Sequence, residues 1–130
     1  PDSFVGQVIY VGMDVHKKSW KVTLIMNDLN LKTFSCDTDV LSLVKSLKNT
    51  FPGASYEFCY EAGFCGFWIC RELQKFGYKC IVVNPADVSQ SQKEKLFKSD
   101  SVDSQKLARE LSHHNLTPIY VEILWILWWT

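Results

Sequence analysis

Apolar positions along the chain change their period several times, and each change marks an element. Residues 8–11 are a continuous apolar run leading through Gly12 and Met13 to Asp14, as expected of a central strand covered on both faces. Trp20, Val22, Leu24 and Met26 then alternate with Lys21 and Thr23, the period of a half-buried strand. Residues 27–30 read as a turn and 31–36 as a third strand, so the three strands form an antiparallel meander. Capping residues at 37–39 precede Val40, Leu43, Val44 and Leu47 at helical spacing. Lys45 and Lys48 fall in the last turns, where the helix dipole favours cations, and Asn49 with Pro52 and Gly53 ends the helix.

Tyr56, Phe58 and Tyr60 alternate as a fourth strand that ends at Glu61, Ala62 and Gly63. Ile69, Leu73 and Phe76 lie on one helical stripe that stops at Gly77, a residue suited to a left-handed cap. Residues 80–83 make a fifth short strand, closed by Asn84 and Pro85. Residues 87–99 are polar and lysine-bearing, the pattern of an exposed loop or irregular helix. Val102, Leu107 and Leu111 mark a helix over residues 101–111, and residues 116–121 a last edge strand. The order is βββαβαβα. It predicts an α/β fold, a mixed five-stranded sheet flanked by helices, and is the order of the ribonuclease-H arrangement.

Composition narrows the function classes. A chain of 130 residues, 47% of them hydrophobic, can build one core of useful size, which excludes disorder for most of its length. Its 14 basic and 14 acidic residues cancel, so a nucleic-acid partner would have to be met by a local basic patch. Five cysteines form no CxxC pair and are odd in number; free thiols in a reducing cytoplasm are expected rather than a disulfide framework or a zinc site. Residues 1–7 lack the basic and apolar segments of a signal peptide. The apolar run 123–129 is far short of the roughly 20 residues that cross a bilayer, so no membrane partner is expected.

The acids carry the candidate chemistry. Asp14 and Glu61 end apolar strands, where an unpaired charge is costly. If those strands are parallel neighbours, both side chains emerge at the sheet edge where open α/β folds place ligands. Asp100 and Asp103 are three residues apart and would share a helix face. Four carboxylates brought together repel one another without a cation. Mg2+ or Mn2+, hard ions that take oxygen ligands, resolves the repulsion and suits phosphodiester chemistry. Each acid taken singly also fits a solvated surface residue or a helix cap, and Asp100 fits the cap of the helix over 101–111.

Three segments extend this picture: Val11-Gly-Met-Asp-Val-His-Lys17, Tyr60-Glu-Ala-Gly63, and Lys98-Ser-Asp-Ser-Val-Asp103 followed by Lys106-Leu-Ala108. Together they resemble the DEDD transposases of bacterial and archaeal insertion sequences. The stretch 66–85 and Leu116-Thr-Pro118 resemble the family too, so the likeness runs from about Val8 to Val121. The resemblance implies a RuvC-like catalytic domain over residues 1–121, with Asp14, Glu61, Asp100 and Asp103 as catalytic and metal-holding residues. It implies Mg2+- or Mn2+-dependent DNA strand cleavage and exchange, with element ends and target DNA as partners. A structured guide RNA and, at full length, a homo-oligomer are implied as well. Lys17, Lys18, Lys93, Lys95, Lys98 and Lys106 become candidates for phosphate contact, against the alternative of a solvated charged face.

Two departures qualify the resemblance. The family continues into a second domain carrying a serine nucleophile, whereas residues 122–130 form a tryptophan-rich hydrophobic tail. That tail is expected to be a truncation or frameshift product, with a docking segment as the competing reading. Ser101 and Val102 also stand where the family commonly has basic residues. His16 is expected to orient a neighbour or pack locally, with metal ligation as the lesser option, and His113-His114 to form a polar helix end. Competing functions are a catalytically inactive nucleic-acid-binding remnant, and a RuvC-like nuclease or junction resolvase. A phosphotransferase of the actin or sugar-kinase type ranks last, because Val15-His16-Lys17-Lys18 after Asp14 contains no glycine or hydroxyl to admit phosphate.

Overall fold

A computed structural model of the chain describes residues 3–63, 65–84 and 103–119. Its sheet opens with β1 (Val8–Val15), β2 (Trp20–Met26) and β3 (Leu29–Cys36). Helix α1 (Val40–Thr50), β4 (Ser55–Glu61), α2 (Trp68–Lys75), β5 (Lys79–Val83) and α3 (Ser104–Ser112) follow. The five strands form one mixed sheet in the order β3-β2-β1-β4-β5. β1 pairs antiparallel with β2 and parallel with β4, and β4 pairs parallel with β5. The chain is therefore α/β, with helices flanking a five-stranded sheet.

Pleating divides the sheet into two faces, because successive side chains of a strand point to opposite sides. Ile9, Val11 and Met13 of β1 are paired across the parallel ladder with Tyr56, Phe58 and Tyr60 of β4. These six join Trp20, Val22 and Leu24 of β2 in one buried cluster with α1 (Val40, Leu43, Val44, Leu47) and α2 (Ile69, Leu73). Burying each such side chain is worth roughly 1.5–3 kcal/mol, so this face holds most of the core. Its phenols are satisfied as well as buried. Tyr60 donates to the Gly66 carbonyl at 2.9 Å and accepts from the Cys70 amide at 3.2 Å, tying β4 to the start of α2. The Tyr56 hydroxyl lies 2.9 Å from the Leu47 carbonyl and 2.8 Å from that of Phe51, where α1 ends. Among the described residues, the opposite face carries α3, over a smaller cluster of Cys59, Val83, Leu107 and Leu111.

Several boundaries differ from expectation. β1 runs on through Val15, so Asp14 lies inside the strand, paired with Lys21, rather than at its end. The β2–β3 turn is two residues long, Asn27 (φ 52°) and Asp28 (φ 65°), both left-handed, as a tight hairpin that follows the sheet's twist requires. Phe76 is not part of the buried stripe of α2; it lies just past the helix and is 45% exposed. α3 begins at Ser104 because Asp103 is its extended N-cap. The expected strand over 116–121 is represented, among the described residues, by an isolated bridge between Val83 and Pro118, with Ile119 donating to the Val82 carbonyl at 2.7 Å. The polar stretch 87–99 and the tail 122–130 lie outside the described residues. All five cysteines are free thiols. Among the described residues, no helix is long and apolar enough to cross a membrane.

Candidate functional site

Tyr10, Gly12 and Asp14 occupy the α3 face of β1, and Glu57, Cys59 and Glu61 the same face of β4. One row of this face is the seat of the helix. Thr33, Thr23, Gly12 and Cys59 are successive partners across β3, β2, β1 and β4. The buried hydroxyls of Thr23 and Ser104 lie 2.8 Å apart, and Thr23 meets Thr33 at 2.9 Å. The Cys59 thiol donates to the Leu107 carbonyl at 3.6 Å, and its burial pushes the thiol pKa well up. At Gly12 a β-carbon would stand 2.4 Å from both the Ala108 nitrogen and the Ser104 carbonyl oxygen, so the helix backbone rests directly on the strand.

The next row holds the acids. Register runs to Met13 opposite Tyr60, and one residue further the two parallel strands carry Asp14 and Glu61 side by side. Lys21 is the partner of Asp14 on β2, and Val83 that of Glu61 on β5. Two contacts fix the direction of α3 relative to this row. His114, just past its C-terminal end, packs edge-on against Tyr10 with ring centroids 6.0 Å apart. His113 Nε2 lies 3.2 Å from Asp28 Oδ1 in the β2–β3 turn, at the far end of the sheet. The helix thus runs away from the acids, and its N-terminal end, the positive pole of its dipole, lies on their side.

Asp14 and Glu61 each follow the last residues paired between β1 and β4, and Asp103 lies on the same side of the sheet as the cap of α3. Asp14 is partly exposed, its side chain at 20%, and its Oδ1 lies 3.2 Å from His16 Nε2, which gives His16 the orienting position expected of it. Glu61 is half-buried. Asp103 is exposed, and its Oδ1 accepts from the Lys106 amide at 2.8 Å as the N-cap of α3. It therefore precedes α3 as its cap; Asp100, and with it the expected sharing of a helix face, lies outside the described residues. Among the described residues, no three His, Cys, Asp or Glu side chains stand together as a metal-holding group. Lys17 and Lys18 are exposed between β1 and β2, and Lys106 is half-buried on α3; Lys93, Lys95 and Lys98 lie outside the described residues. Sequence reasoning passed over Gly12, Thr23 and Ser104. A glycine inside an apolar strand was the available signal, since it marks a close backbone approach.

No family model matches the chain. Curated relatives do. Over 104 residues the chain is 31% identical to the transposase for insertion sequence element IS1533 of Leptospira borgpetersenii, a match covering 78% of this chain and 30% of that protein. Over 118 residues it is 36% identical to y4qE, a candidate transposase of Sinorhizobium fredii, covering 86% of this chain and 30% of the relative. A second candidate transposase of that organism, y4rJ, is 43% identical over 51 residues, or 39% of this chain and 13% of its own length. The chain is therefore similar over most of its length to transposases, one of them that of an insertion sequence element, and it spans about 30% of each of these two.

Proposed function

We propose that the chain is a RuvC-like, ribonuclease-H-type module of a DEDD transposase, and that its acid row holds Mg2+ or Mn2+ for strand cleavage and exchange on DNA. The observation that carries this reading is the placement of Asp14 and Glu61 just past paired positions of two parallel strands, on one face, on the side toward which the N-terminal end of α3 lies. A dication would draw favourable charge from two carboxylates that follow paired positions of adjacent strands. The carboxylate oxygens of Asp14 and Glu61 suit such a hard ion, and the His16 imidazole holds an Asp14 oxygen.

On this reading Asp14 and Glu61 are the principal ligands, joined by Asp100 and by Asp103, whose cap engages Oδ1. When bound, the ion activates a water or hydroxyl and stabilises the leaving oxygen of a phosphodiester. The chain's own contribution is positional. His16 holds one oxygen of Asp14, and the helix pole supports negative charge at the edge. Lys17, Lys18 and Lys106, with Lys93, Lys95 and Lys98, are the candidates for phosphate contact, whether to DNA ends, target DNA or a guide RNA.

A catalytically inactive nucleic-acid-binding module is the second reading, favoured by the commitment of Asp103 to its cap. Incubation with branched and single-stranded DNA in Mg2+ or Mn2+ separates the two. Metal-dependent cleavage abolished by Asp14→Ala is the expected result; binding without cleavage, in manganese as well, would establish the inactive reading.

A further inference from the structure

We infer that Thr23 is a positioning residue for the acid edge: its hydroxyl sets the level at which α3 lies across the sheet, and hence how far the helix's N-terminal end reaches toward Asp14 and Glu61. The inference rests on the metal-site reading above and deepens it. Thr23 is wholly buried and Ser104 is 1% exposed. A buried hydroxyl deprived of its partner costs about 1–3 kcal/mol. Thr33, Thr23 and Ser104 form a chain of 2.9 and 2.8 Å links from the edge strand to the first residue of the helix.

Among the described residues, the other contacts of α3 with the sheet are less directional. Gly12 offers a flat floor, which permits close approach and also permits sliding. Leu107 and Leu111 pack in the small cluster with Cys59 and Val83, and apolar contact specifies burial better than register. The thiol link from Cys59 to Leu107 is long, at 3.6 Å. A slip of one residue moves a helix by about 1.5 Å along its axis and turns it by about 100°, enough to change where its N-terminal end lies relative to the acid row. A valine at position 23 would fill nearly the same volume as threonine. The hydroxyl, not the shape, carries the positional information.

The test compares the full 130-residue chain with Thr23→Val, Thr23→Ser and Ser104→Ala, each checked for folding by circular dichroism. Mn2+ binding is titrated by electron paramagnetic resonance, and exchange of the Lys106 and Leu107 amides is followed by hydrogen–deuterium exchange. Thr23→Val and Ser104→Ala are expected to weaken Mn2+ binding on the order of tenfold and to speed exchange in the first turn of α3, while Thr23→Ser restores both. Loss of thermal stability with unchanged Mn2+ affinity in Thr23→Val would reduce Thr23 to a structural residue and overturn the inference. A wild-type chain that binds no Mn2+ would overturn the metal reading itself, and the positioning role with it.

Discussion

A methyl group at position 12 would stand 2.4 Å from the backbone nitrogen of Ala108 and the carbonyl oxygen of Ser104. Backbone cannot turn aside as a flexible side chain can, so Gly12→Ala must lift α3 from the sheet. Overpacking of this kind costs about 1–3 kcal/mol, and here we expect the upper part of that range, measured as a shift in urea midpoint at constant slope. A loss under about 0.5 kcal/mol would mean that the helix does not rest on the strand as described. The same residue explains why Thr23 and Ser104 can meet: with no side chain on β1, the helix comes down far enough for a hydroxyl on β2 to reach it.

At the scale of the element, α3 places two demands on Asp103. As an N-cap it accepts from the Lys106 amide, and asparagine can do the same; as a metal ligand it must carry charge. Asp103→Ala is expected to cost about 1 kcal/mol and Asp103→Asn little in thermal unfolding, while both weaken Mn2+ binding. Equal binding by Asp103→Asn and wild type would assign the residue to capping alone. These competing roles also show where sequence was readable. The meander, α1 and the strand–helix alternation follow from apolar period and caps, and Asp39 caps α1 as its position implies. Asp103 was harder to place, because an aspartate before a helix and one in its first turn look alike in sequence. The difference is a backbone angle, here ψ 164° at Asp103. Asp14 within its strand was missed for a related reason: a polar residue near the end of an apolar run looks like the end of the strand, although its pairing continues to Val15.

For the molecule as a whole, the two faces of the sheet have separate physical roles. The α1–α2 face supplies the core, and its buried acids of high pKa set the alkaline limit of the fold. Burial, aided by Tyr78, raises Tyr56 from 10.0 to about 12. Burial, aided by Asp37, raises Cys36 from 9.0 to about 11. Such groups hold their protons more tightly folded than unfolded, so their contribution is complete below pH 9 and is lost as pH rises toward 12. The urea midpoint should therefore fall between about pH 9 and 11; a constant midpoint over that window would contradict the burial of these groups.

The α3 face combines a small apolar cluster with buried hydroxyls and the paired acids, and it shows the limits of pattern reading most clearly. Asp14 and Glu61 were legible as candidates because each interrupts an apolar run. Their adjacency was not, since it depends on β4 lying beside β1 in parallel register, which no local pattern encodes. The hydroxyl chain through Thr23 was silent for the same reason: 81 residues separate it from Ser104.

Thermal unfolding of the full chain with and without Mn2+, for wild type and Asp14→Asn, tests the central claim most directly. A ligand that binds only the folded state at a hundred times its dissociation constant adds about 2.7 kcal/mol. Mn2+ is expected to raise the wild-type transition by several degrees and to leave Asp14→Asn unmoved. A wild-type transition indifferent to Mn2+, or an equal rise in both proteins, would contradict a metal site at the acid row.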